Sequence, residues 1–390
     1  MTFIDASKLS SDNGEERILL VDDNPTNLQL LLQTLDGRGY KLLVAKGGEA
    51  AIDIARKTKP AVILLDVMMP GMDGFETCRR LKADPATRDS AVIFLSALNE
   101  VHQKVSGFSL GAVDYITKPI QSDDVIARVQ THLTIQRLTR ELQMRYAQIE
   151  RELSVVRGVQ QSLLPQKLPE IPGLALAAYY ETSRHAGGDY YDIVEIPGNR
   201  WGIMVADVSG HGAAAAVVMA MTRAVFHAKP ELHDSPASLL QFLNDHFRYM
   251  WGAARFVTAL YCVYDANTRT LDMACAGHCP PLLYRAATRR VEVLPCQRVI
   301  PLIIQEMPEV PVVQVQLHPS DRLLLYTDGI TERFSPAREE FGVERLRQAL
   351  VETVENTPQG AIEGIMSRVR LHASDRPPGD DQTLLLCVVK

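Results

Sequence analysis

The stretch Ile18-Leu19-Leu20-Val21-Asp22-Asp23 sets the pattern for the first third of this 390-residue chain. Its unbroken apolar run predicts a short strand buried on both faces, and two carboxylates follow directly. Similar apolar runs recur at residues 42–44, 61–65, 91–95 and 112–116. Helical patterns fill the gaps, so we expect a doubly wound α/β domain with a parallel sheet, preceded by a flexible tail over residues 1–16.

Polar side chains lie where these predicted strands end. Asp22 and Asp23 follow the first strand, Asp66 follows the third, Ser96 the fourth and Lys118 the fifth. Ligands of such sheets bind beyond the carboxyl ends of the strands, so we expect these side chains to form one site. Three carboxylates repel one another, and oxygen ligands of this kind suit Mg²⁺. Asp66 is then a nucleophile that can form an aspartyl phosphate.

Four motifs over about residues 17–134 resemble the receiver domain of two-component response regulators. They are Val21-Asp22-Asp23, Asp66-Val67-Met68-Met69-Pro70-Gly71-Met72-Asp73-Gly74, Ser96-Ala97 and Lys118-Pro119. The resemblance implies that Asp66 accepts phosphate from a histidine kinase or phosphotransfer protein, and that Asp22 and Asp23 bind Mg²⁺ beside it. It also implies that Lys118 pairs with the phosphoryl group, and that Ser96 and Tyr115 act as the switch. Ordinary packing of Tyr115 in a strand is the alternative.

A single long helix is predicted over residues 122–164, because Ser122 is a good cap and no proline lies between it and Pro165. A heptad stripe from Leu142 onward places residues 142, 146, 149, 153, 156, 160 and 163 at a and d positions. We expect residues 135–164 to be a linker that forms a parallel two-stranded coiled coil, and hence a homodimer. Docking of the stripe on the chain's own C-terminal domain is the alternative, and Gly158 marks a predicted hinge.

The C-terminal part, residues 165–390, shows adjacent strand patterns interrupted by helices, which predicts an α+β domain. Acidic residues again lie at strand ends, next to glycine turns: Asp189, Asp207, Asp328 and Asp380. Carboxylates on rigid strand ends can converge on hard cations, and two such ions can bind a shared water. This arrangement is typical of phosphoester hydrolysis.

The same segments resemble the SpoIIE-like subgroup of the metal-dependent type-2C protein phosphatases, the PPM family. The matching motifs include residues 159–165, 187–192, 206–212, 276–278, 326–332 and 380–383. The resemblance implies a sandwich of two antiparallel sheets flanked by helices, two Mn²⁺ or Mg²⁺ ions, and phosphoserine or phosphothreonine protein substrates. It also implies that Asp207 bridges both ions, that Asp189 and the Val208 carbonyl bind one, and that Asp328 and Asp380 bind the other.

Four other residues near these motifs are also candidates for a role at the site. His211 and His278 are candidate proton donors, although packing or support of the ligands is the favoured interpretation. Asp192 and Asp381 are alternative ligands of the same kind.

Two positions depart from the family pattern, because Ile303 replaces a glycine after Pro301-Leu302 and Arg333 replaces a small or polar residue after Thr331-Glu332. We expect these departures to affect a substrate loop rather than metal binding.

Composition and charge limit the other functions. The net charge of −6 and the lack of a basic recognition helix argue against nucleic-acid binding. The longest apolar run, residues 213–221, is about half of the ~18 residues that a membrane span needs, so we expect a cytoplasmic protein.

The function we predict is a response regulator, phosphorylated on Asp66, that controls a serine/threonine phosphatase. By resemblance, its substrate is an anti-sigma-factor antagonist in a partner-switching pathway. The alternative is a non-enzymatic phosphatase-fold module that sequesters a signalling partner, although a scaffold has no need to concentrate repelling carboxylates.

Overall fold

The computed structural model describes residues 16–97, 110–183, 186–210, 212–251, 255–296, 300–307 and 309–390. The chain divides into two units, Met1–Ala147 and Gln148–Lys390. The predicted tail lies outside the described residues except for Glu16. None of the described helices is both long and apolar enough to cross a membrane.

The N-terminal unit is a parallel five-stranded sheet with the strand order β2-β1-β3-β4-β5, which confirms the predicted α/β fold. Its strands are β1 (Arg17–Val21), β2 (Lys41–Ala45), β3 (Val62–Asp66), β4 (Ala91–Ala97) and β5 (Asp114–Lys118). The helices described with it are α1 (Pro25–Leu35), α2 (Gly48–Thr58), α3 (Gly74–Ala83) and the start of α4 (Ser122–Leu163).

Both faces of this sheet are covered, which explains the unalternating apolar strands. Along β1, Ile18 and Leu20 pack in one core with residues of α1 and of the first turns of α4. Leu19 and Val21 pack in the other core with residues of α2 and α3. Every residue of the strand interior is therefore buried, and the polar residues are confined to the strand ends.

Helix α4 is continuous over 42 residues and passes through Gly158 without a break, so the long linker helix is confirmed. The predicted heptad stripe divides into two parts. Leu142, Tyr146 and Ile149 are more than half exposed, whereas Gln160 is buried against the chain's own C-terminal unit. The last turn thus follows the docking alternative, and pairing of the exposed part with a second chain stays a prediction.

The C-terminal unit contains two antiparallel five-stranded sheets, in the orders β13-β10-β9-β8-β7 and β12-β11-β14-β15-β6, as the predicted sandwich requires. The strands are β6 (Leu174–Glu181), β7 (Tyr190–Ile196), β8 (Arg200–Val208), β9 (Val257–Asp265), β10 (Thr270–Ala276), β11 (Leu282–Arg285), β12 (Arg290–Val293), β13 (Val313–Gln316), β14 (Arg322–Tyr326) and β15 (Gln382–Val389). The α-helices are α5 (Ala213–Ala228), α6 (Pro236–Trp251), α7 (Asp328–Thr331), α8 (Gly342–Glu352) and α9 (Pro358–His372).

Alternation along β15 shows how the layers stack. Leu385 and Cys387 face the core that includes the other sheet and helices α5 and α6. Leu384 and Leu386 face a second core formed with α8 and α9. Because successive side chains of a strand point to opposite faces, this central sheet is buried on both sides. The sequence pattern did not predict β6, β7, β12 or α9.

Gly202, in the middle of β8, provides a test of the packing between strands. A β carbon there would lie 2.1 Å from the Tyr261 hydroxyl oxygen, which donates a hydrogen bond to the His233 carbonyl. We expect Gly202→Ala to lower the free energy of unfolding of this unit by about 1–3 kcal/mol through overpacking. Urea unfolding followed by tryptophan fluorescence measures it, because both tryptophans of the chain, Trp201 and Trp251, belong to this unit.

The matched control is Gly158→Ala, since a β carbon at Gly158 meets no atom within 4 Å. Alanine favours a helix over glycine by about 1 kcal/mol, so this variant should be as stable as the unchanged chain or slightly more stable. Equal urea midpoints for Gly202→Ala and the unchanged chain would contradict the packing argument.

Candidate functional site

Three carboxylates meet at the carboxyl edge of the parallel sheet. Asp66 is the last residue of β3, and Asp22 and Asp23 follow β1, its hydrogen-bonded neighbour. One oxygen of each side chain lies within 4.8 Å of the others, with Asp22 and Asp66 buried and Asp23 exposed. The topology therefore brings together the acids that the sequence predicted, and their all-oxygen donor set fits Mg²⁺.

Lys118, the last residue of β5, completes this cluster. Its Nζ lies 2.7 Å from Asp66 Oδ1 and 3.2 Å from Asp22 Oδ2. Burial raises the pKa of Asp66 and the Asp22 charge adds to the rise, although Lys118 opposes both. Burial alone would lower the pKa of Lys118, but its contacts with Asp66 and Asp22 raise it overall. One ammonium group cannot neutralise three carboxylates, so the cluster favours an added cation.

Ser96 lies on β4, the strand next to that of Asp66, and Tyr115 lies on β5, one strand further. Ser96 is buried, and its Oγ has no hydrogen-bond partner among the described residues. Such an orphaned hydroxyl fits a donor that awaits an acceptor such as a phosphoryl oxygen. Tyr115 is half-buried against the core, and the Arg128 guanidinium lies 5.8 Å from its ring centroid. Its switch role stays a prediction.

In the C-terminal unit, four acids adjoin strands of two different sheets. Asp189 precedes β7 and Asp207 lies near the end of β8, and the pairing of Tyr190 with Ala206 makes them neighbours. Asp328 begins α7 directly after β14, and Asp380 precedes β15, which pairs with β14. Each sheet thus supplies two of the predicted ligands.

Two threonines connect the sheets at this point. Asp189 is buried, and its Oδ2 accepts hydrogen bonds from Thr327 Oγ1 at 2.7 Å and from Thr383 Oγ1 at 2.6 Å. The Thr383 amide in turn donates to Thr327 Oγ1 at 3.0 Å. Asp189 of the first sheet is therefore oriented by side chains of the second. Neither threonine was predicted to have a role, although each lies within three residues of a predicted ligand.

These acids raise one another's pKa values. Burial raises the pKa of Asp207 to about 7, and the charges of Asp328 and Asp380 add to the rise. Burial and the Asp207 charge raise the pKa of Asp189, and burial and the Asp380 charge raise that of Asp328. No basic side chain is among the principal causes of these shifts. The charge of the cluster therefore fits a site for cations.

The backbone next to Asp189 supports the same assignment. A β carbon at Gly188 would lie 2.5 Å from the carbonyl oxygen of Val208, the backbone atom predicted to bind a metal. Only glycine allows this close approach. Among the described residues of this unit, no three acidic, His or Cys side chains come within 4.8 Å of one another. A two-metal site spreads its ligands over ions about 3.5–4 Å apart, so it does not require such a trio.

Comparisons with known proteins match each part of the chain to a family. The model of the response regulator receiver domain matches residues 18–130. The model of stage II sporulation protein E (SpoIIE) matches residues 197–390. The chain is a response regulator with a C-terminal SpoIIE, PP2C-like domain.

Curated relatives match the receiver part of this response regulator. Protein PilH of Pseudomonas aeruginosa is 37% identical over 117 residues, which are 30% of this chain and 97% of PilH. Response regulator PleD of Caulobacter vibrioides is 41% identical over 142 residues, 36% of this chain and 31% of PleD. This chain therefore spans about a third of the length of PleD.

Solved structures match the C-terminal part. The RsbU and RsbW domains of Rv1364c from Mycobacterium tuberculosis share 26% identity at a TM-score of 0.51, over 58% of this chain and 63% of that one. The SiaA-PP2C domain of Pseudomonas aeruginosa shares 22% identity at a TM-score of 0.57, over 63% of this chain and 98% of that one. The second likeness shows the fold alone.

Asp192 and Asp381, the alternative metal ligands, form hydrogen bonds with other groups of the protein. Asp381 is buried and accepts hydrogen bonds from the amides of Ser183 at 2.8 Å and Gly188 at 2.6 Å. Asp192 Oδ2 accepts from the Tyr190 hydroxyl at 2.6 Å and lies 2.8 Å from His227 Nε2. Both carboxylates are thus used in holding the fold.

The two candidate proton donors differ in what the structure shows of them. His211 lies outside the described residues. His278 Nδ1 lies 2.8 Å from Thr258 Oγ1, and burial lowers the pKa of its imidazole to about 4. A histidine held neutral in this way fits the packing role better than the role of a proton donor at neutral pH.

Both departures from the family pattern have a structural consequence. Ile303 has φ +82°, a left-handed conformation that favours glycine, and its amide donates to Asn244 Oδ1 at 2.8 Å. Asn244 thereby helps to hold a non-glycine residue in this conformation. Arg333 is buried and donates to the carbonyls of Pro377, at 2.7 Å, and Arg376. It therefore supports the segment that leads to Asp380.

Asp207→Asn should stabilise the metal-free C-terminal unit. The folded-state pKa of Asp207 is raised from 3.8 to about 7, so the folded unit favours the protonated carboxyl. The stability of the folded unit therefore falls as this group ionises, from about pH 4 through pH 7. At pH 8 in EDTA, we expect Asp207→Asn to raise the free energy of unfolding by about 2–4 kcal/mol. Urea unfolding at several pH values measures this. Asp245→Asn, an exposed acid on α6, is the control, and an unchanged pH slope in Asp207→Asn would contradict the argument.

Proposed function

We propose that this response regulator is phosphorylated on Asp66 and controls a metal-dependent serine/threonine protein phosphatase in its C-terminal domain. The observation that carries the proposal is the cluster of Asp189, Asp207, Asp328 and Asp380, in which burial and mutual charge raise the carboxylate pKa values. Divalent cations relieve this repulsion, and the SpoIIE family match supports the same chemistry.

Asp207 has the central role in this proposal. It adjoins Asp189 in one sheet, and its pKa responds to Asp328 and Asp380 beside the other sheet. It is therefore the carboxylate best placed to serve two ions at once, with the Val208 carbonyl and Asp189 on one side. When bound, Mn²⁺ or Mg²⁺ would supply Lewis acidity for the attack of water on phosphorus. Thr327 and Thr383 keep Asp189 oriented, and no covalent enzyme intermediate is required.

The substrate we propose is the phosphoserine form of an anti-sigma-factor antagonist in a partner-switching pathway. The resemblance to the SpoIIE-like phosphatases and the similarity to the RsbU and RsbW domains of Rv1364c support it. The competing function, binding and sequestering a signalling partner without hydrolysis, would leave the cluster of mutually repelling acids without a purpose.

Asp207→Asn should abolish phosphatase activity. The neutral amide cannot hold two cations as a carboxylate does, so we expect the rate to fall at least about 100-fold. The assay measures phosphate release from p-nitrophenyl phosphate and from a phosphoserine protein in Mn²⁺. Asp245→Asn should keep full activity, because this side chain lies on the surface of α6. Full activity of Asp207→Asn, or partner binding without Mn²⁺ and without phosphate release, would contradict the proposal.

The receiver domain supplies the control in this proposal. A carboxylate oxygen of Asp66 attacks the phosphorus of a phosphohistidine, the phosphorus–nitrogen bond breaks, and the histidine of the donor keeps the electron pair. Asp22, Asp23 and Asp66 would hold Mg²⁺, which supplies charge neutralisation during the transfer. Lys118 already contacts Asp66 and would pair with the new phosphoryl group. Ser96 would donate its hydroxyl to the same group.

The exposed part of α4 is proposed to pair with a second copy of the chain. Leu142, Tyr146 and Ile149 follow the 4,3 spacing of a heptad seam and are more than half exposed. Three large apolar side chains on one helix stripe favour burial in a parallel coiled coil. A homodimer of this kind would carry the state of the receivers along α4 towards the C-terminal domains.

Asp66→Asn should uncouple the phosphatase from the receiver. We expect the unchanged chain to take up one phosphoryl group from acetyl phosphate and to change its phosphatase rate at least about twofold, whereas Asp66→Asn does neither. Intact mass and the phosphatase assay measure the two effects. Asp53→Asn, an exposed acid on α2, is the control. A variant Asp66→Asn that responds to acetyl phosphate like the unchanged chain would refute receiver control.

A further inference from the structure

We propose that Gln160 is a positioning residue that ties the last turn of α4 to the loop carrying Asp189. The inference rests on the proposed function, because it concerns how the same metal site is assembled. Gln160 occupies a heptad position in an otherwise mostly apolar stripe, and it is 2% exposed. A buried amide of this kind requires partners, and the structure shows which ones it has.

Both polar groups of Gly187 are paired by this one side chain. Gln160 Nε2 donates to the Gly187 carbonyl at 2.7 Å, and the Gly187 amide donates to Gln160 Oε1 at 3.0 Å. Gln160 Nε2 also donates to the Tyr180 hydroxyl at 3.0 Å, on β6. The side-chain amide thus pairs with Gly187 as a neighbouring strand would. Asp189 is only two residues further along the chain.

Other supports of this loop come from segments that lie later in the chain. Asp381 accepts the amide of Gly188 at 2.6 Å, and the Ala186 carbonyl accepts the amide of Gly212 at 3.1 Å. A β carbon at Gly187 would lie 2.2 Å from Asp381 Oδ2, so the loop is enclosed on that side. Gln160 connects the loop directly to α4, so a movement of that helix reaches Gly187 through this side chain.

The end of α4 is itself held in place. Gln166 Nε2 donates to the carbonyl of Gln161 in the last turn, at 2.8 Å, and to that of Leu164 just beyond it, at 3.1 Å. A shift of the helix by one residue moves a side chain by about 1.5 Å along the axis and 100° around it. Either change would break hydrogen bonds at these distances and would leave the buried amide and carbonyl of Gly187 unpaired. The position of α4 thereby sets the affinity of the site for metal.

Gln160→Met tests this role, because methionine keeps the length and the apolar stem of the side chain and removes all three of its hydrogen bonds. The matched control is Gln161→Met, one residue further along the same helix, where the side chain is exposed. In EDTA, amide hydrogen exchange of the peptide containing Gly187 and Gly188 should become at least about tenfold faster in Gln160→Met. The Mn²⁺ concentration for half-maximal hydrolysis of p-nitrophenyl phosphate should rise about tenfold, with the rate at saturating Mn²⁺ within about twofold.

Each result decides for or against the proposal. If Gln160→Met exchanges as slowly as Gln161→Met and requires no more Mn²⁺, Gln160 is not a positioning residue. If the unchanged chain shows no Mn²⁺-dependent hydrolysis, the proposed function fails, while the exchange measurement in EDTA still decides the role of Gln160. If Gln160→Met does not fold, Gln160→Glu replaces it. This variant keeps the acceptor for the Gly187 amide and loses the donor to the Gly187 carbonyl. The amides of Gly187 and Gly188 should therefore exchange faster than in the unchanged chain, and equal exchange would contradict the proposal.

Discussion

The repulsion among carboxylates at the ends of strands is the constraint on which both domains depend. In the receiver, Asp22, Asp23 and Asp66 bring oxygens within 4.8 Å of one another. In the C-terminal domain, the charge of Asp207 raises the pKa of Asp189, and the charges of Asp328 and Asp380 raise the pKa of Asp207. Such groups destabilise a fold unless rigid elements hold them and cations or positive side chains compensate them. The surrounding structure supplies the rigidity in each case.

The two domains meet this constraint differently. The receiver places Lys118 at 2.7 Å from Asp66, so a built-in cation offsets part of the charge beside the candidate nucleophile. The C-terminal domain orients Asp189 with neutral donors, the hydroxyls of Thr327 and Thr383. Neutral donors fix the geometry and leave the negative charge for bound ions. This difference agrees with the proposed function, in which the receiver accepts a phosphoryl group on its own carboxylate and the C-terminal site activates water.

Much of the fold followed from local patterns. Unalternating apolar runs predicted the parallel sheet, because both of its faces are covered. The long helix followed from the absence of proline between Ser122 and Pro165. Strand β6 was missed although residues 174–180 form an apolar run, because three of them are alanines and the run shows no clear alternation. The heptad stripe left pairing with a second chain and docking on the chain's own domain both open, and only the burial of Gln160 showed that the last turn docks.

The sequence by itself determined which acids are candidates for chemistry, since carboxylates at predicted strand ends singled out Asp66, Asp189, Asp207, Asp328 and Asp380. Only the tertiary structure decided what holds them. Thr327, Thr383 and Gln160 reach their partners over 138, 194 and 27 residues of chain. Contacts between distant segments depend on how sheets and helices pack, which no local pattern encodes. The physical reason is that a hydrogen bond is fixed by distance and direction in space and not by separation along the chain.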